Sequence, residues 1–104
     1  MKKTFKLTHP KIKPARLVES IKHEIKKYLA RERRKALPEG TDYWTFDCQF
    51  GASADTAEDI YSSEINKRID AAFEQDFSEF YIVILARAEV YKPKTDDAEA
   101  SENE

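Results

Sequence analysis

The sequence predicts an α+β fold in which two helices pack on one face of a mostly antiparallel sheet of three to four strands. Three observations predict it. Apolar residues recur at helical steps between Pro14 and Leu37. Tyr43 to Phe50 alternates with a period of two. Phe80 to Leu85 is an unbroken run of aromatic and aliphatic residues, rich in β-branched types. With one further short strand, the chain order is βαββαβ, that of a ferredoxin-like domain.

The elements are justified in order. Phe5 and Leu7, between lysines and threonines, predict a half-buried strand over residues 3–8, stopped by His9-Pro10. Pro14 suits the first turn of a helix. From there Leu17, Val18, Ile21, Ile25, Tyr28 and Leu29 form one apolar stripe. The helix is predicted to run to Leu37, where Pro38-Glu39-Gly40 ends it. In the next strand Trp44, Phe46, Cys48 and Phe50 share the face expected to be buried, with Tyr43, Thr45, Asp47 and Gln49 opposite. Gly51 to Asp55 reads as a turn.

Residues 56–62 admit two readings. Thr56-Ala57-Glu58-Asp59 resembles a capping box that would start a helix. Ile60, however, falls off the apolar stripe of the next helix, so a short strand from Glu58 to Tyr61 explains it better. Ser62 or Ser63 would then cap a helix carrying Ile65, Ile69, Ala72 and Phe73. The last strand, from Glu79 to Tyr91, is apolar on both faces. In a ferredoxin-like sheet it would lie at an edge. It is therefore either interior in another strand order or covered by a second subunit. One α+β domain is expected over residues 1–92. Residues 93–104, with five acids and no large apolar side chain after Lys94, are expected to form a disordered acidic tail.

Composition excludes several functions. The 104 residues are 40% hydrophobic and 37% charged. No apolar run approaches the roughly 18 residues of a membrane helix, and no apolar stretch comes after Met1-Lys2-Lys3 as in a secretory signal. One cysteine forms no internal disulfide, which makes a reducing cytoplasm the expected setting. Two glycines, Gly40 and Gly51, leave no Gly-rich phosphate loop.

No constellation for catalysis emerges. A thiol enzyme needs a histidine base beside its cysteine, but Cys48 is expected in the core and His23 on the outer face of the first helix. His9, His23 and Cys48 match no zinc spacing, and no metal or cofactor is implied. Asp47, Glu58 and Glu64 read as a solvated acidic rim rather than a carboxylate cluster.

Charge is the unusual feature. Residues 1–37 carry 13 Lys and Arg against 3 Asp and Glu, and residues 38–104 carry 5 against 17. Lys22, Lys26, Lys27, Arg33 and Arg34 fall away from the apolar stripe of the first helix. Such a row of cations on a rigid rod suits a nucleic-acid backbone, RNA or DNA, bound weakly and without sequence preference. The plainer reading is a solvated face whose terminal cations complement the helix dipole. No aromatic is interleaved with these cations, so base stacking is not expected there; Tyr43 is the nearest candidate. The acidic tail is a potential competitor for the same helix. A competing view is a protein-interaction module, a homodimer formed through Tyr81, Val83 and Leu85 on the outer face of the last strand. Neither view involves a membrane.

The run Ile21-Lys22-His23-Glu24-Ile25-Lys26-Lys27-Tyr28, then Arg31-Glu32-Arg33-Arg34-Lys35-Ala36-Leu37-Pro38-Glu39-Gly40, is distinctive. Together with Trp44, Phe46-Asp47-Cys48, Phe50-Gly51 and Ile69-Asp70-Ala71-Ala72, it resembles a family of small bacterial proteins of unknown function. The resemblance spans the chain up to its acidic tail. It implies a bacterial single-domain protein and brings no activity with it.

Overall fold

The computed structural model describes residues 1–91, so the expected acidic tail lies outside the described residues. The chain order is βαββαβ: β1 Lys2–Lys6, α1 Pro14–Arg33, β2 Tyr43–Gly51, β3 Glu58–Ile60, α2 Ile65–Glu74 and β4 Glu79–Glu89. Short 3-10 turns at Ala54–Thr56 and Ser62–Glu64 flank β3. Residues 58–60 are thus strand, and no helix starts at Thr56.

The four strands lie in the order β1-β4-β2-β3, and every neighbouring pair is antiparallel. β1 and β2 therefore run parallel with β4 between them, and β3 and β4 run parallel with β2 between them. The chain order is the ferredoxin-like one, but the sheet order is not, because β4 is interior rather than an edge. The physical reason is the apolar character of β4 on both faces. An interior position gives it a neighbour on each side, and Val83, on the face away from the helices, is only 5% exposed.

Both helices cover one face. Val18, Ile21 and Ile25 of α1 and Ile65, Ile69 and Ala72 of α2 join Phe46, Cys48, Phe50, Phe80, Ile82 and Ile84 of the sheet in a single core. The alternation of β2 places Trp44 on this face as expected, half-buried, with its indole Nε1–H donating to the carbonyl of Lys35 at 2.9 Å. That bond fixes the chain beyond α1 and helps explain why the helix ends at Arg33 rather than Leu37. Arg34 is its C-cap, and the amides of Arg34 and Lys35 close a tighter turn on the carbonyls of Arg31 and Glu32.

Two backbone positions set the remaining corners. At Gly51 a Cβ would sit 2.6 Å from the Cα of Ala57, so only glycine lets the end of β2 pass this turn. After α2, Asp76 adopts φ 60° while its amide donates to Phe73 and that of Phe77 to Ala72. This is a Schellman end in which aspartate, which tolerates the left-handed region better than most residues, replaces the usual glycine. α2 begins without a serine cap. The Glu64 carboxylate instead accepts from the Tyr61 amide at 2.9 Å, which leaves the hydroxyls of Ser62 and Ser63 free to line a surface groove.

Candidate functional site

A groove of about 540 Å³ runs between α1 and the entrance to α2. One wall is α1, whose helical spacing brings Lys22, His23, Lys26 and Arg33 into line over Ile25 and Leu29. The other wall is Ser62, Ser63 and Asn66, which project from the turn that starts α2. Glu19 closes the N-terminal end of the groove.

The five cations expected to act together are divided by the fold. Lys22 is committed: its ammonium donates to Asp70 of α2 at 2.6 Å and is partly buried there, so it staples the helices together. Lys26 is exposed and makes no ion pair among the described residues. The Arg33 guanidinium lies over the ring of Phe46, 5.2 Å from its centroid, which holds the cation at the groove's far end. Lys27 and Arg34 are exposed but outside the groove, beside its rim, and neither has an ion-pair partner among the described residues. Nearby, Lys35 pairs with Glu32 and Lys3 with Glu24.

The serine and asparagine wall was not anticipated from sequence. Ser62 and Ser63 read as capping residues, and nothing in a linear pattern shows that they face α1. With them the groove offers the cations Lys26 and Arg33 on one wall and hydroxyl and amide donors on the other. That combination suits phosphate oxygens. No aromatic ring lines it for stacking on bases.

The open face of the sheet is different in character. Tyr81 is half-buried, Val83 is buried and Leu85 is 47% exposed. Beside this short apolar row the Arg87 guanidinium donates to both oxygens of Asp47, at 2.8 and 3.1 Å, and also pairs with Glu89. The hydrogen bond from Arg87 holds the Asp47 carboxyl below its usual range. Gln49 donates to Asp59 at 3.1 Å. Tyr43 stacks on Tyr91, with centroids 4.9 Å apart, which occupies one face of its ring.

Cys48 is 3% exposed within the core. His9 accepts from the Lys11 amide at 3.0 Å, and His23 lines the groove. Asp47, Glu58 and Glu64 do not converge; they bond Arg87, Arg68 and the Tyr61 amide respectively. Among the described residues no group of three or more His, Cys, Asp or Glu could hold a metal ion. No helix there is long and apolar enough to cross a membrane.

The family model described as "Family of unknown function (DUF6172)" matches residues 1–96. No curated protein and no solved structure matches the chain.

Proposed function

We propose, from the premise that the chain belongs to this family of unknown function, that it is a non-enzymatic binding module of a reducing cytoplasm, and that it grips a nucleic-acid backbone, RNA foremost, through α1. The observation that carries the reading is the set Lys26, Lys27, Arg33 and Arg34. All are exposed and without an ion-pair partner among the described residues, over about 12 Å of helix at roughly 1.5 Å per residue. Ser62, Ser63 and Asn66 across the groove add donors for phosphate and for the ribose 2′-hydroxyl, which favours RNA over DNA. Binding is then governed by counterion release and carries little sequence preference.

The test is an anisotropy titration with a short oligouridylate at several salt concentrations, on the native chain and on a variant with its acidic tail neutralised. Four phosphate contacts on a single strand give a log–log salt slope of about −3. Replacing Lys26 and Arg33 together by glutamine should reduce the size of that slope by about 1.4 while the circular dichroism spectrum stays unchanged, because neither side chain is buried. Absence of binding by both proteins at low salt would refute the reading.

A second reading rests on the open sheet face. Leu85 and Tyr81 form an apolar row around Val83, and level with Val83 the sheet carries Lys2 on the β1 edge and Asp59 on the β3 edge. A two-fold axis along the strands would lay the β1 edge of one copy over the β3 edge of another, setting Lys2 of each copy against Asp59 of the other around Tyr81, Val83 and Leu85. Sedimentation should then show a dimer that Leu85→Lys converts to a folded monomer. A native chain that stays monomeric at high concentration sinks this reading.

A further inference from the structure

The last described residues lie beside the basic end of α1. The amide of Asp42 donates to the Glu89 carbonyl at 2.7 Å, the amide of Tyr91 donates to Asp42 Oδ2 at 2.8 Å, and Tyr91 stacks on Tyr43. The next residue of β2, Trp44, holds the Lys35 carbonyl, and Phe46 lies beneath Arg33. The chain therefore leaves Tyr91 at the end of the sheet where Arg31, Arg33, Arg34 and Lys35 gather.

The sequence beyond Tyr91 is opposite in charge. After Lys94 come Asp96, Asp97, Glu99, Glu102 and Glu104, with no further cation. The 13 residues after Tyr91 reach at most about 43 Å at roughly 3.3 Å each, whereas α1, with 20 residues, is about 30 Å long. The acidic segment can therefore lie against any of the cations from Lys26 to Arg34 that have no ion-pair partner among the described residues. Tethering supplies it at an effective concentration near the millimolar range, enough for a weak ionic contact to be populated at low salt.

We infer that the acidic segment 92–104 is the intramolecular occupant of the basic groove and rim of α1, and competes there with nucleic acid. The competition rests on the proposed reading of that surface; the contact itself does not. Each acid placed against a cation removes a site of counterion release, so the segment weakens polyanion binding most at low salt. Its effect fades as the Debye length shortens.

Two measurements test contact and competition separately. In the first, a nitroxide is attached at Ser101→Cys in the full chain, where the native Cys48 is buried. Amide signals of Lys26 to Arg34 should broaden at low salt, recover near 0.5 M salt, and broaden more than those of Tyr81 to Leu85. Equal broadening of the two sets, or none on α1, overturns the inference. In the second, Asp96, Asp97, Glu99, Glu102 and Glu104 are replaced by their amides. Oligouridylate binding should tighten about tenfold near 50 mM salt and differ little at high salt. Unchanged affinity at low salt overturns the competition. Broadening on α1 with no RNA binding by either protein overturns the nucleic-acid reading and the competition while the contact stands.

Discussion

Replacing Phe80 by alanine should destabilise the protein by about 3–5 kcal/mol. The Phe80 side chain is fully buried in β4. Its ring is the middle member of a row crossing three strands, 5.4 Å from the Phe5 ring on β1 and 4.8 Å from the Phe50 ring on β2. Truncation removes the buried ring area, leaves a cavity that two flanking strands cannot collapse into, and breaks two stacked pairs at about 0.5–1.5 kcal/mol each, part of the same total. A domain of this size has about 5–15 kcal/mol to lose. The measurement is urea unfolding monitored by tryptophan fluorescence, since Trp44 reports on the same sheet. Phe80→Leu, which keeps most of the volume, should cost about 1–2 kcal/mol and separates the cavity effect from general misfolding. A loss below about 1 kcal/mol for Phe80→Ala would mean that the three-strand ring row is not the centre of the core.

The contrast between Phe80 and Ser62 shows what a linear pattern carries. Phe80, Ile82 and Ile84 alternate along a strand, and period-two geometry assigns them a common face whatever the strand pairs with. The same reasoning placed Phe46, Cys48 and Phe50 in the core, and helical spacing placed Val18, Ile21 and Ile25 there. Strand order is a property of long-range pairing and has no such local signature. The doubly apolar β4 left two solutions open, and the structure adopts the interior one, between β1 and β2. The groove was half legible. Lys26 and Lys27 were visible as exposed cations because their own helix defines their face. The commitment of Lys22 to Asp70, 48 residues away, depends on how two helices face each other. So does the turning of Ser62 and Ser63 toward α1. The end of α1 has no local signature for a related reason, since Trp44 reaches back to Lys35 across the intervening turn.

Cys48 should react with a thiol reagent at least about a thousandfold more slowly in the native protein than in denaturant. Burial pushes its thiol up from the ordinary 9.0 to about 11, and the neighbouring Asp47 carboxylate adds to the shift. At pH 8 that alone lowers the thiolate fraction by about a hundredfold, and the thiolate is the nucleophile. The remaining factor is access. The side chain is 3% exposed within the core, in van der Waals range of the Phe46 carbonyl at 3.9 Å, so reagent reaches it only when the sheet opens. The shift also fixes how stability depends on pH. Between about pH 9 and 11 the folded protein keeps a proton that the unfolded chain has lost. The native state therefore binds more protons in that window, and stability falls as pH rises through it. Cys48→Ala should lessen this alkaline loss by the share the thiol contributes, while lowering stability modestly at neutral pH, because a small buried side chain is removed. The measurements are reagent kinetics at pH 8 with and without denaturant, and urea midpoints from pH 7 to 10.5 for both proteins. Rapid native labelling, or an alkaline loss as large in Cys48→Ala as in the native chain, would take the thiol out of the core and reopen a nucleophilic role for it.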